Sequence, residues 1–238
     1  MPRPEVAIVI GAGPGLGSAL ARRFARAGMQ VAVARRNADK LATLTRELGG
    51  NAHAYACDAT DESAVRQLFA SVAANLGVPT LAVFNAGAFV RKGVLDTSVE
   101  EFERCWRVAC LGGFLVGREA ARAMLARNAE HKGTLIFTGA TASLRGGAQF
   151  HNLAVGKFGL RALAQSMARE FQPQGIHVAH VVIDGQIAGE RAGHSIAERG
   201  KNAVIDPAAI AETYYQLHLQ PRSAWSFEVD LRPYVEKF

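Results

Sequence analysis

The sequence predicts a single α/β domain over residues 1–238, in which a doubly wound parallel sheet of about seven strands carries helices on both faces. Three observations support this prediction. Short apolar segments alternate with helix-like segments along the chain, which is the pattern of parallel βαβ units. No internal repeat or Pro/Ser-rich linker interrupts that alternation. A glycine-rich turn lies directly between the first apolar segment and the first helix-like segment.

The composition limits the classes of protein to consider. Of the 238 residues, 49% are hydrophobic and 20% are charged, as in a globular protein. No apolar run approaches the roughly 18 to 20 residues of a membrane helix, and the N-terminus has no signal-peptide core, so we expect no membrane partner and a cytoplasmic location. The three cysteines lack metal-ligand spacing, which predicts free thiols and no metal site. The net charge of +6 comes from scattered basic residues, which favours a solvated surface over a nucleic-acid site.

The first βα unit contains the glycine-rich turn. A predicted strand over residues 6–10 enters the turn, and a helix follows with apolar residues every three or four positions until Gly28 ends it. Glycines allow the backbone to turn tightly and to approach a pyrophosphate, while the N–H groups at the helix N-terminus attract anions. The turn therefore predicts a Rossmann-like dinucleotide site whose contacts are Gly11, Gly13, Gly15, Leu16 and Gly17.

The second predicted strand, residues 30–34, indicates which dinucleotide binds. In such folds, a carboxylate at the end of this strand binds the ribose 2′-hydroxyl of NAD, whereas a basic residue accommodates the 2′-phosphate of NADP. Arg35 and Arg36 occupy this place, and no carboxylate follows before Asp39. Because a guanidinium matches a phosphate in geometry and charge, we expect NADP(H) to be preferred over NAD(H).

The rest of the chain continues the alternation. Further strands are predicted over residues 52–57, 81–84, 134–138, 176–183 and 226–231. Further helices are predicted to begin near Asn37, Asp61, Ser98, Asn152 and Asp206. The helix after Ser98 carries Glu101 in a capping-box position and reaches Gly112-Gly113, where a bend is expected. Periodicity is weak over residues 186–206, which predicts a substrate lid.

Two further motifs complete a resemblance to a known family. Asn85-Ala86-Gly87 follows the fourth predicted strand, and Lys157 lies in the long predicted helix. With the glycine turn, these motifs have the order and spacing of the short-chain dehydrogenase/reductase family, which the chain resembles over essentially its whole length. The family's glycine motif begins with a threonine, where this chain has Ile10.

The resemblance implies roles for several residues. Asp58, followed by Ala59, is expected near the adenine ring, and Asn85, Ala86 and Gly87 are expected to steady the sheet beside the cofactor. Gly185 and Ile187 stand where the family has P-G-x-V, so the backbone of Ile187 is expected to contact the nicotinamide amide. The family also implies a small-molecule substrate and a homodimer or homotetramer built through the fourth and fifth predicted helices.

The catalytic positions differ from the family pattern. The resemblance implies a tyrosine four residues before Lys157, a serine thirteen residues before that tyrosine, and an asparagine on the fourth helix. These positions hold Leu153, Ala140 and Cys110, and the tyrosine position of the enoyl-reductase branch holds Phe150. A positioned general acid typically contributes 10²–10⁴-fold in rate, and leucine, alanine and phenylalanine have no proton to give. We therefore expect a non-standard proton donor.

Several residues could take over the missing chemistry. Lys157 is expected to hold the nicotinamide ribose, and His151 could supply a proton if it faced the nicotinamide. Thr141 and Ser143 flank Ala140 and could bind a substrate oxygen. Weaker candidates, each also explained by packing or solvent exposure, are Cys110, Tyr214, Tyr215 and His194.

Three functions remain open from the sequence. The first is an NADP(H)-dependent oxidoreductase acting on a small apolar carbonyl, alcohol or activated alkene, since Phe89, Leu144, Phe150 and Ile187 are predicted to line the pocket. The second is an NADP(H)-binding pseudo-enzyme or regulatory protein without redox turnover. The third is a non-redox lyase or isomerase that keeps the cofactor as a structural element.

Overall fold

The computed structural model describes residues 4–189 and 200–236. Its strands are β1 (Val6–Ile10), β2 (Gln30–Arg35), β3 (Ala52–Ala56), β4 (Leu81–Phe84), β5 (Gly133–Thr138), β6 (Ile176–Ile183), β7 (Gln186–Ile187), β8 (Val204–Ile205) and β9 (Glu228–Leu231). Seven of them form one parallel sheet in the order β3-β2-β1-β4-β5-β6-β9, which confirms the predicted fold class.

Helices cover both faces of this sheet. They are α1 (Leu16–Arg26), α2 (Ala42–Leu48), α3 (Glu62–Asn75), α4 (Val99–Trp106), α5 (Gly112–Leu125), α6 (His151–Phe171) and α7 (Pro207–Leu219). One apolar core joins the sheet to α1, α2 and α7, and a second joins its other face to α3, α5 and α6. Because both faces are covered, central strands such as β1 and β4 are buried along their whole length.

The local signals in the sequence correspond to observed helix ends. Gly28 follows α1 with a φ of 83°, a left-handed conformation that favours glycine. Ser98 and Glu101 form the predicted capping box at the start of α4. Asn37 caps a short 3₁₀ turn, Ala38–Leu41, which leads into α2.

The region between α4 and α5 contains an irregular turn. Gly112 and Gly113 begin α5 and pack against Phe84, and Gly113 also packs against Leu160 of α6. The irregularity comes earlier, as a π turn over Arg107–Leu111. This turn lies against α6, where a Cβ on Gly156 would come within 2.9 Å of the Ala109 Cβ. Glycine in α6 therefore makes room for the wider turn.

The weakly periodic segment after β6 contains a small element that was not predicted. β7 pairs in parallel with β8, so the two ends of the expected lid are held together. Residues 190–199, and with them His194, lie outside the described residues. Over the described parts of the chain, none of the helices has the length and apolar character needed to cross a membrane.

Candidate active site

A cleft of about 1160 Å³ opens at the carboxyl ends of the central strands. The glycine turn after β1 forms one wall. The rest is formed by the ends of β2 and β3, by the loops after β4, β5 and β6, and by Arg104 of α4 and Val108 of the π turn. Ligands of doubly wound sheets bind at the carboxyl ends of the strands, at the topological switch point where the strand order reverses. Every residue predicted to contact the cofactor, apart from Lys157, lines the cleft. The structure therefore brings together residues that are up to 176 positions apart, from Gly11 to Ile187.

The glycine turn is shaped by close backbone contacts. Gly11 has a φ of 90°, and a Cβ there would lie 2.6 Å from the backbone nitrogen of Ala86. A Cβ on Gly17 would lie 2.8 Å from the Cα of Ala12. Gly15, with a φ of 93°, borders open space and begins α1 without a side-chain cap. These features fit a pyrophosphate, because the turn leaves room for it and the helix N-terminus presents N–H groups.

Basic side chains lie next to the glycine turn at the end of β2. A Cβ on Gly13 would lie 3.7 Å from Nη1 of Arg35, so this guanidinium reaches the turn. Arg36 and Lys40 line the same end of the cleft. Positive charge at this place fits the 2′-phosphate of NADP.

Polar contacts brace the cleft around the expected adenine and ribose positions. The Asn85 side chain donates from Nδ2 to the carbonyl oxygen of Gly11 at 3.2 Å, which ties the turn after β4 to the glycine turn. Asp58 accepts hydrogen bonds from the backbone N–H and the hydroxyl of Thr60, both at 2.9 Å. The Asp58 carboxylate is thereby held in one orientation beside the cleft.

Lys157 is buried behind the wall of the cleft. Its Nζ donates to the carbonyl oxygen of Thr138 at 2.6 Å and would lie 3.9 Å from a Cβ on Gly87, and both of these residues line the cleft. Burial lowers the pKa of Lys157 from 10.5 to about 8. An ammonium group has three N–H donors, so two remain after the bond to Thr138.

The three positions that the resemblance assigns to the other catalytic residues lie in the loop after β5, on α6 and in the π turn before α5. Ala140 lines the cleft, and Leu153 lies one helical turn before Lys157 on the same side of α6. Cys110 belongs to the π turn, and burial raises the pKa of its thiol, which disfavours the thiolate needed for a nucleophile.

His151 is not brought to the cleft. It is the first residue of α6, and its ring stacks on Phe102 with the centroids 6.4 Å apart. It lines a separate apolar hollow together with Val155 and Phe158. Positions 151, 155 and 158 share one side of the helix, whereas position 157 lies on another. The expectation that His151 could face the nicotinamide is therefore corrected by the phase of the helix.

Thr141 and Ser143 also turn away from the cleft. The Thr141 hydroxyl donates to the Asp184 carboxylate, whose second oxygen lies 3.3 Å from Nη1 of Arg232. Ser143 is fully buried, and its Oγ accepts the backbone N–H of Ala140 at 3.1 Å. Both hydroxyls hold the loop after β5 in place and do not line the cleft.

Two of the weaker candidates, Tyr214 and Tyr215, are held by packing and hydrogen bonding within the fold. Tyr214 is fully buried, and its hydroxyl donates to Oγ1 of Thr138 at 2.9 Å. Tyr215 lies beneath the guanidinium of Arg23 at 3.8 Å.

The predicted apolar pocket is only partly assembled. Of its four members, Ile187 lines the cleft. Phe89 and Phe150 stack on each other with their ring centroids 4.8 Å apart, and Leu144 is exposed.

Two buried polar groups near the site were not predicted. Asn152 donates from Nδ2 to the carbonyl oxygen of Val90 at 2.7 Å, which fastens the loop after β4 to α6. His180 lies fully buried in β6, with its Nδ1 2.9 Å from Oε2 of Glu228. Glu228 in turn forms two hydrogen bonds, of 2.6 and 2.7 Å, with Arg161. The two histidines of β6, His177 and His180, in an otherwise apolar strand were the available signal for this network.

Comparisons with known proteins identify the family and support the fold. Residues 5–232 match the family model described as short chain dehydrogenase. A short-chain dehydrogenase from Rhodopseudomonas palustris has 43% sequence identity and a TM-score of 0.85, over 98% of this chain and 100% of that one. A metagenomic short-chain oxidoreductase in complex with NADP has 27% identity and a TM-score of 0.83, over 98% and 99% of the two chains. (+)-Borneol dehydrogenase 1 of Salvia officinalis is 31% identical over 191 residues, which are 79% of this chain and 72% of that protein.

Proposed function

Because the chain belongs to the short-chain dehydrogenase family, we propose that it is an NADP(H)-dependent oxidoreductase acting on a small apolar carbonyl, alcohol or activated alkene. Members of this family bind a nicotinamide cofactor and small-molecule substrates. The observation that carries the proposal is the complete cofactor cradle: the glycine turn, the basic end of β2 and the Asn85 turn line one cleft. When bound, the nicotinamide would supply or accept the hydride.

The preference for NADP(H) is supported by charge. Arg35 and Arg36 would bind the 2′-phosphate, and the relative from a metagenome is in complex with NADP. The small apolar substrate class is supported by Ile187 in the cleft and by the relative from Salvia, whose name refers to an apolar alcohol.

Lys157 is the residue of this chain best placed to hold the proton. Its pKa of about 8 keeps both the ammonium and the amine accessible near neutral pH, which suits a group that must give and regain a proton. With one N–H on Thr138, the lysine retains donors for a ribose hydroxyl and for a substrate oxygen. The proposed proton donor is thus the lysine itself, in place of a tyrosine.

A second candidate function is NADP(H) binding without redox turnover. It is favoured by Ala140 and Leu153, which put no titratable group beside Lys157. In either case we propose a homo-oligomer formed through α4, α5 and α6, because large apolar side chains on these helices are exposed, namely Phe102, Trp106, Phe114, Val155 and Phe158.

Calorimetric titration with NADPH and NADH tests the cradle. In the double variant Arg35→Ala/Arg36→Ala, we expect NADPH to bind at least about 10-fold more weakly, because charge-assisted hydrogen bonds contribute about 1.5–3 kcal/mol each, and NADH to be unaffected. Arg46→Ala is the control, since Arg46 is exposed on α2 and does not line the cleft. Failure of the wild type to bind either nucleotide would overturn the proposal.

Turnover is then measured with aldehydes, ketones and enones. NADPH oxidation with any class of substrate supports the oxidoreductase. Tight NADPH binding with no turnover across the panel supports the second candidate instead.

A further inference from the structure

His180 occupies an unusual position behind the cleft. Its side chain is fully buried, and its Nε2 has no hydrogen-bond partner among the residues that the structure describes. Buried polar atoms are nearly always paired, so an unpaired ring nitrogen calls for a physical explanation. A Cβ on Gly139 would lie 2.4 Å from this nitrogen, which places Nε2 directly beneath the loop that borders the cleft.

Glu228 determines which nitrogen of His180 carries the proton. Residues 180 and 228 are partners in the register of β6 and β9, and Nδ1 lies 2.9 Å from Oε2 of the carboxylate. Two hydrogen bonds from Arg161 hold that carboxylate in place and lower the pKa of Glu228, so it stays ionised. An ionised carboxylate can only accept, so Nδ1 donates and Nε2 is left as an acceptor.

Lys157 and His180 meet the same stretch of backbone. The lysine donates to the carbonyl oxygen of Thr138, and the imidazole lies against the next residue, Gly139. Lys157 and Arg161 are one turn apart on α6, and Arg161 is already joined to His180 through Glu228. Burial is the main cause that lowers the pKa of His180, and the positive charge of Lys157 acts in the same direction.

We propose that Lys157, His180 and Glu228 form a buried triad in which His180, held by Glu228, accepts a hydrogen bond from a water that in turn accepts one from the Lys157 ammonium. His180 and Glu228 are positioning residues, because they act on the cleft only through the lysine. The catalytic meaning of the triad rests on the proposed function, whereas its effect on the lysine does not.

The triad would offset the free-energy cost of burying the charged ammonium group of Lys157. Burial disfavours the charged form of Lys157, and Thr138 satisfies one of its three donors. A second acceptor backed by a carboxylate stabilises the ammonium and fixes its direction. The charged groups acting on His180 are Glu228 from β9 and Lys157 and Arg161 from α6, while desolvation favours the neutral ring. Under these influences, the imidazole of His180 is neutral, and its tautomer is fixed by Glu228.

The test is a direct titration of Lys157 in the full-length protein without cofactor or substrate. Lysine labelled with ¹³C and ¹⁵N is followed by NMR between pH 6 and 11, and Lys157→Met identifies the signal. In His180→Asn, the amide can still reach Glu228 but not the place of Nε2, so we expect the pKa of Lys157 to fall by about 1 unit, a tenfold change in proton affinity. In His180→Gln, an oxygen can reach the place of Nε2, and we expect the pKa to recover.

His177→Asn is the matched control. His177 lies on the same strand and is equally buried, with Nε2 2.8 Å from the carbonyl oxygen of Ser226. Its Nδ1 has no hydrogen-bond partner within residues 4–189 and 200–236. We expect this variant to lose stability without moving the titration of Lys157. Glu228→Gln removes the carboxylate charge with little change in shape, and it should lower the pKa of Lys157 in the same direction as His180→Asn.

An unchanged titration of Lys157 in folded His180→Asn would overturn the triad, as would an equal shift in His177→Asn. If His180→Asn does not fold, Glu228→Gln decides the question by the same criterion. Because the titration uses no cofactor, a protein that fails to bind NADPH or to turn over substrate would still give a clear answer about the triad.

Discussion

The two ends of the cleft are built from different parts of the chain. At the cofactor end, the site is formed mainly by backbone atoms. Gly11 and Gly17 have no room for a side chain, and the N-terminus of α1 presents its N–H groups. At the other end, the chemistry depends on side chains, and the positions around Lys157 hold Ala140 and Leu153. Side-chain chemistry can therefore change without disturbing the fold, whereas a change in the backbone cradle disturbs both the fold and the cofactor site.

The largest effect is expected from introducing a hydroxyl and a phenol at the second end, at the positions that the resemblance assigns to serine and tyrosine. In Ala140→Ser/Leu153→Tyr, a phenol lies one turn before Lys157 on the same side of α6, and the ammonium lowers the phenol's pKa. We expect reduction of a carbonyl substrate to accelerate by about 10²–10⁴-fold, the usual contribution of a positioned general acid. Steady-state NADPH oxidation measures the gain.

The control for this double variant is Ala140→Ser/Leu153→Phe, which has the same ring without the hydroxyl. An equal rate in the two double variants would show that the apolar positions do not limit the chemistry.

The next prediction compares the loss of stability when Gly11 or Gly15 of the cradle is replaced by alanine. Gly11 and Gly15 have φ values of 90° and 93°, so alanine is strained at both, but only at position 11 does the Cβ meet backbone within 3 Å. We expect Gly11→Ala to lower the free energy of unfolding by about 1–3 kcal/mol more than Gly15→Ala. Gly15→Ala should chiefly weaken NADPH binding, because its Cβ enters the cleft.

Urea denaturation and NADPH titration of both variants measure these two effects. Equal losses of stability would mean that the contact between Gly11 and Ala86 is not a constraint on the fold.

A smaller effect is expected from the pH dependence of stability. Folded Lys157 loses its proton near pH 8, whereas the unfolded lysine keeps its proton up to about pH 10.5. Between these values the unfolded state binds more protons, so stability rises with pH, by about 3 kcal/mol for the full shift. In Lys157→Met this rise should be absent.

Denaturation of the wild type and of Lys157→Met from pH 7 to 10.5 tests this prediction. The relevant quantity is the difference between the two curves, since other groups titrate equally in both proteins. Curves that stay parallel across this range would contradict a lowered pKa of Lys157.

The sheet and the cradle could be predicted because their signals are local. Buried parallel strands are continuous apolar runs, and a tight turn at positive φ requires glycine, as at Gly11 and Gly15. The basic end of β2 was visible for the same reason, since Arg35 and Arg36 directly follow an apolar strand.

The network behind the cleft could not be predicted because it depends on distant parts of the chain. His180 meets Glu228, 48 residues later, only through the pairing of β6 with β9. The direction of His151 depends on the phase of α6, which a shift of one residue turns by about 100°. The π turn over Arg107–Leu111 likewise depends on glycines in α6 that pack against it.

The contact between Gly11 and the turn after β4 has a consequence for protein engineering. The backbone of Gly11 lies against Ala86, and the carbonyl oxygen of Gly11 accepts a hydrogen bond from the Asn85 side chain. The two turns therefore pack closely and are complementary in shape. A chimaera that takes residues 11–17 from one relative and residues 85–87 from another would combine two turns whose shapes are not complementary. Grafting this nucleotide site into a new scaffold therefore requires both turns to be transplanted as one module.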